Sequence, residues 1–243
     1  MKNNKLHVFE TPEDMANQFA DQLMYWVKNH TEKTFHLAIS GGKTPKLLFA
    51  ALAKKYADSE LWEKVHFWWV DERMVSPYDP ESNYKVANKT LFSKINIHSA
   101  NIHRIKGEND PISEVISYTT QAQKRIAKTN GWPIFDLILL GMGEDGHTAS
   151  IFPDQMQLLN SNNIYDIVHH PKSGQKRITL TGQAIGYASK ICILVTGSDK
   201  ANRIADIWSD SENAKQLPIA LIHSAKNNII WHLDKAAAHL IMS

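Results

Sequence analysis

Apolar residues in this chain form two alternating patterns. Short, nearly unbroken runs occur at FHLAIS, VHFWWV, NIHRI, FDLILLG, RITLTG, KICILVTG and NIIWHL, and they predict buried strands. Between several of them the apolar positions return at helical spacing. In TPEDMANQFADQLMYWVKNH, for instance, Met15, Phe19, Leu23 and Trp26 share one face, behind Thr11 as N-cap and Pro12 in the first turn. Strands alternating with helices predict an α/β protein: a mostly parallel sheet with helices on both faces, its first strand beginning by about Leu6. No repeat or Ser/Gly-rich linker divides the chain, so residues 1–243 are expected to form one domain. The polar stretch SNNIYDIVHHPKSGQK predicts a small excursion from the main sheet.

In open α/β sheets ligands sit beyond the carboxyl ends of the strands, which directs attention to the loops there. AISGGKTPK, residues 38–46, ends in Gly42-Lys43-Thr44 and resembles the close of an ATP-binding P-loop. That motif requires a glycine five residues before Gly42, where this chain has Leu37. What remains is a strand, a glycine turn and a helix predicted to start at Pro45. This geometry aims free amides and a helix dipole at one point, which favours an anion.

Two further loops carry unusual residues. After VHFWWV the run breaks into Asp71-Glu72-Arg73; Arg73 offers a planar fork for phosphate or carboxylate, and Asp71 is suited to sugar hydroxyls or to holding Arg73. After FDLILL comes GMGEDGHTASIFP, residues 141–153, with three glycines around Asp145 and His147. A histidine with a carboxylate beside it is the pairing that general-base chemistry requires. Arg177, at the start of RITLTG, and Lys200, in TGSDKANRI, add positive charge that suits a phosphate dianion. Of the other histidines, His169 and His170 are expected at the surface.

Composition narrows the partners more than the fold. The chain has 243 residues, 43% of them hydrophobic, with 27 Lys and Arg against 25 Asp and Glu. A balance of +2 gives no reason to expect nucleic acid or an anionic membrane, so an anion site must be local. The lone Cys192, inside ICILV, is expected to be a buried thiol. MKNNKLHVFE lacks the apolar stretch of a signal peptide, and a cytoplasmic protein is expected.

SGGKTP, WVDER with the following SNY, GMGEDGHTASIFP, the RIT strand and the lysine of TGSDK resemble, in order and spacing, the 6-phosphogluconolactonases of the oxidative pentose phosphate pathway. The likeness runs from about residue 8 to about residue 235. It implies a modified Rossmann-like fold and hydrolysis of 6-phospho-D-glucono-1,5-lactone, with no metal or organic cofactor. His147 would be the base and Asp145 its partner. Ser40, Gly41, Gly42 and Thr44 would hold the phosphate with Arg177 and Lys200, while Asp71 and Arg73 would contact phosphate or sugar. The partner would be a small molecule alone, with no nucleic acid or membrane, and the protein a monomer or homodimer. Lys43 departs from the small residue usual in that turn. Two rivals share parts of the pattern: a glucosamine-6-phosphate deaminase or isomerase, and a non-catalytic sugar-phosphate sensor.

Overall fold

A computed structural model describes residues 5–225 and 228–242. The strands are β1 (Lys5–Phe9), β2 (Phe35–Ile39), β3 (Val65–Trp69), β4 (Asp71–Arg73), β5 (Lys128–Thr129), β6 (Trp132–Pro133), β7 (Leu137–Leu140), β8 (Tyr165–His169), β9 (Lys176–Leu180), β10 (Ile191–Val195) and β11 (Ile229–Asp234). The α-helices are α1 (Pro12–Lys28), α2 (Lys43–Tyr56), α3 (Asn83–Thr90), α4 (Pro111–Arg125), α5 (Gly182–Gly186), α6 (Ala201–Trp208) and α7 (Lys235–Ala238). Six strands form the central sheet in the order β1-β11-β10-β7-β2-β3, and every neighbouring pair is parallel. Every residue of β2, β7, β10 and β11 is buried, as a sheet covered on both faces demands.

Local chemistry explains the helix starts. Thr11 accepts the Asp14 amide at 3.0 Å and caps α1, whose Met15, Phe19 and Leu23 are fully buried while Trp26 is only partly so. α2 begins at Lys43 rather than at Pro45, with Gly42 as its cap. Pro45 still lies in the first turn, where a missing N–H costs no helical hydrogen bond.

Two strand expectations change. NIHRI is not a strand: Ile102 makes a single bridge to Phe67 beside a 3-10 turn at Ser99–Asn101. The RIT run, which becomes β9, leaves the central sheet and pairs antiparallel with β4 and β8 in a sheet ordered β4-β9-β8. The polar excursion supplies β8. Val70 is the junction between the sheets, donating to Ile39 O at 2.9 Å and accepting from Leu180 N at 2.7 Å. The chain therefore turns out of the parallel layer just before Asp71. Cys192 is fully buried, as expected, and burial pushes its thiol pKa up. Among the described residues no helix is long and apolar enough to cross a membrane.

Candidate active site

A pocket of about 500 Å³ opens at the carboxyl ends of β2, β7 and β10, with β4 and β9 along one side. Each predicted site residue except Asp145 lines it: Ser40, Gly41, Gly42, Thr44, Asp71, Arg73, His147, Arg177 and Lys200. Asp145 stands behind the imidazole, its Oδ1 2.6 Å from His147 Nδ1 and 3.1 Å from the His147 amide. Burial raises the Asp145 carboxyl, but the hydrogen bond and charge of His147 outweigh it and hold the pKa down at about 2. An ionised carboxylate only accepts, so Nδ1 carries the proton between them. That leaves the Nε2 lone pair free.

The glycine loop makes this pose possible. Gly143 donates to His147 O at 2.9 Å, folding the loop so that the imidazole lies against it. Farther on, Thr148 and Ile151 bridge across a tight turn in which Ala149 takes φ 52°, a strained setting for a residue with a Cβ. The turn delivers Ser150 into the protein, where its Oγ donates to Asp71 Oδ2 at 2.6 Å and accepts from Arg177 at 3.4 Å. Asp71 is therefore tied to Ser150, and its hydrogen bond goes there rather than to Arg73.

Positive potential in the pocket comes from the first turn of α2, Lys200, Arg177 and Arg73. Residues 42–44 open the first turn of α2, whose leading amides have no helical acceptor. Lys200 Nζ reaches the pocket while bonded to Asp199 Oδ2 at 2.6 Å and 3.7 Å from Glu144 Oε1. Arg177, nearly buried, lies over the Phe152 ring at 5.7 Å. Arg73 donates to Glu81 O at 2.6 Å, and its Nε is buried without a hydrogen-bond partner. Ser40 differs from its neighbours: its hydroxyl proton goes to Leu139 O at 2.8 Å, so in this geometry the side chain is committed to the β2–β7 junction. Thr44 Oγ1 lies 2.8 Å from Thr196 Oγ1 and stitches the first turn of α2 to the loop after β10.

Sequence reasoning missed two neighbours. Asn83 lines the pocket, yet its polar side chain in SNY offered no sign of burial. His170 was expected at the surface with His169; His169 is exposed, but His170 is half-buried and sits edge-on to Phe152 at 5.1 Å, whose ring also meets His147 at 4.8 Å. Among the described residues no cluster of three or more His, Cys, Asp or Glu is disposed to hold a metal ion.

Comparison with known proteins places these motifs. Residues 10–231 match the family model for glucosamine-6-phosphate isomerases/6-phosphogluconolactonase. A 6-phosphogluconolactonase of Aggregatibacter actinomycetemcomitans is 44% identical over 236 residues, 96% of this chain and 98% of the relative. The crystal structure of a devB protein superposes with a TM-score of 0.92 at 42% identity, covering 98% of this chain and 99% of the other. A monomeric glucosamine-6-phosphate deaminase shares the fold, with a TM-score of 0.77 at 19% identity over 97% and 99% of the two chains. Fold alone therefore does not separate the two chemistries.

Proposed function

This chain belongs to the glucosamine-6-phosphate isomerase/6-phosphogluconolactonase family, and from that premise we propose how it acts. Its activity is that of a 6-phosphogluconolactonase, a carboxylic ester hydrolase of the pentose phosphate pathway. We read residues 1–243 as one catalytic domain that hydrolyses 6-phospho-D-glucono-1,5-lactone to 6-phosphogluconate, with His147 as general base.

An ester carbonyl is already electrophilic, so the work left to the protein is to place C1, to make hydroxide and to protonate the leaving oxygen. In our reading His147 Nε2 takes a proton from water, and the hydroxide adds to C1. As the tetrahedral oxyanion collapses, the bond between C1 and the ring oxygen breaks, and the imidazolium returns its proton to that oxygen. Asp145 keeps Nδ1 protonated and stabilises the imidazolium between the two transfers. The substrate phosphate lies at the first turn of α2, against the amides of Gly41, Gly42 and Thr44, with Arg177 and Lys200 neutralising its charge. Asp71 and Arg73 face the sugar end. Binding energy gathered at the remote phosphate thereby positions the carbon that reacts.

The observation that supports this reading best is the orientation of one ring. His147 is tethered to a carboxylate outside the pocket at 2.6 Å and faces a pocket shared with a helix N-terminus, two arginines and a lysine. Hydrolysis of freshly made lactone, corrected for spontaneous opening, tests it. His147→Ala is expected to lower kcat by about 100- to 10,000-fold while 6-phosphogluconate still binds. Undiminished turnover would remove His147 from the reaction, and ammonia released from glucosamine 6-phosphate would favour the deaminase side of the family.

A further inference from the structure

Glu72 lies in the middle of the DER triplet but outside the pocket. Along β4 the side chains alternate, so Asp71 and Arg73 face the ligand space while Glu72 turns the other way. It is 2% exposed, and its carboxylate accepts four hydrogen bonds. Oε1 takes the Arg73 and Asn83 amides, each at 2.8 Å, and Oε2 takes the Tyr84 amide at 2.8 Å and the Ser82 hydroxyl at 3.1 Å. Three of these donors belong to the start of α3.

The consequence reaches the pocket through Asn83. Its Nδ2 donates to Asp71 O at 2.9 Å, and its amide oxygen packs so closely on Gly41 that a Cβ there would overlap it. Arg73 is held at the same end, through Glu81 O one residue before Ser82. One carboxylate thus locks a strand to a helix, and three pocket residues stand on that joint.

We propose that Glu72 is a positioning residue for substrate binding, whose ionised carboxylate ties β4 to the N-terminus of α3 and so sets Asp71, Arg73 and Asn83 along one wall of the pocket. The inference rests on the functional reading given above. It also has a pH signature. Asp71 and Arg73 flank Glu72 on its own strand, Ser82 and Tyr84 face it from α3, and Tyr118 of α4 and Arg177, which stands on the pocket side of β9 opposite Arg73, interact with its charge. Burial pushes its pKa up to about 7, against the pull of the three amides, and Asp71 adds to the rise. Once protonated, one oxygen becomes a donor facing donors, and the lock loosens.

The test compares wild type with Glu72→Gln, in which one oxygen is permanently replaced by an NH₂ group facing two donors. At pH 7.5 the KM for the lactone is expected to rise by about 10-fold or more, with kcat within about threefold. The Kd for 6-phosphogluconate, measured by calorimetry from pH 6 to 8.5, carries the decisive readout. The ratio of variant to wild-type Kd is expected to be largest near pH 8 and to shrink towards one below pH 7, where wild type carries the same lost acceptor. Titration of the ligand phosphate is common to both proteins and cancels in the ratio. A ratio of one throughout, or a raised ratio that ignores pH, overturns the proposal. If Glu72→Gln does not fold, Ser82→Ala removes one donor to Oε2 together with the α3 cap on the Lys85 amide, and it is expected to raise the Kd for 6-phosphogluconate about two- to fivefold at pH 8 and less below pH 7; an unchanged Kd, or a rise that ignores pH, overturns the proposal there. Failure of wild type to hydrolyse the lactone would sink the functional reading itself, and this inference with it.

Discussion

Gly143 lies against the imidazole of His147 so closely that a Cβ at that position would overlap Nδ1 and Cε1 and crowd Asp145 Oδ1 at 2.8 Å. The catalytic pair therefore depends on a residue with no side chain two positions before Asp145. Gly143→Ala must push the ring off its carboxylate or swing the loop away, and a misplacement of about 1 Å typically costs about 100-fold in rate. We expect a folded protein with kcat reduced by at least about that factor and KM little changed, since the phosphate end is untouched. Activity within a few-fold of wild type would show that the ring has room to move without cost. The three glycines of GMGEDGH were readable as a sign of close approach, and here the approaching group is the base itself. Asn83 was not readable in this way, because nothing in a polar tripeptide reveals that Gly41 and Asp71 will close over it.

At the scale of elements, strands buried on both faces announced themselves and partnerships did not. FHLAI, LILL and ICILV are continuous apolar runs because helices or sheet cover both of their sides. NIHRI carries a similar pattern, yet the edge it would have paired with is already occupied. The Tyr118 hydroxyl accepts the Trp69 amide at 2.9 Å and donates to His103 O at 2.8 Å, standing where a further run of ladder would be. The RIT run is a strand as its pattern predicts, but which sheet it joins depends on Val70, far away in sequence, and on its antiparallel pairing with β8 just before it. β4 was hidden for a different reason. Three consecutive charged residues read as a solvated loop, and only the four donors around Glu72 and the Ser150 hydroxyl on Asp71 make such a strand tolerable inside a protein.

At the scale of the whole molecule, the fold conceals several histidines whose burial makes stability depend on pH. Burial first, and neighbouring histidines after it, lower His36 to about 4, His103 to about 3 and His232 to about 3. His232 packs against His7 and Phe19 with neither ring nitrogen hydrogen-bonded, and His36 accepts from Trp68 Nε1 at 3.1 Å. Each is neutral in the fold and takes up a proton near pH 6.5 when unfolded, so its stabilising contribution is complete above that pH and is lost as pH falls towards the folded value. At pH 5 the loss is about 2 kcal/mol for each of the three. Glu72 acts in the opposite sense, because its raised pKa costs stability as pH rises towards 7, and it returns about 2 kcal/mol over the same interval. The histidines prevail by about 4 kcal/mol, equivalent to a Tm lower by roughly 8–16 °C at pH 5 than at pH 7.5. A Tm that is equal or higher at pH 5 would contradict the account of these buried rings.

The central claim is a spatial one: the reacting carbon lies beside His147 while the phosphate rests on the first turn of α2. A crystal structure of the protein with 6-phosphogluconate tests it most directly. The account predicts the C1 carboxylate within roughly 3.5 Å of His147 Nε2 and the phosphate oxygens within hydrogen-bonding reach of the Gly41, Gly42 and Thr44 amides. A complex with the phosphate lodged elsewhere, or with the imidazole turned from C1, would contradict it.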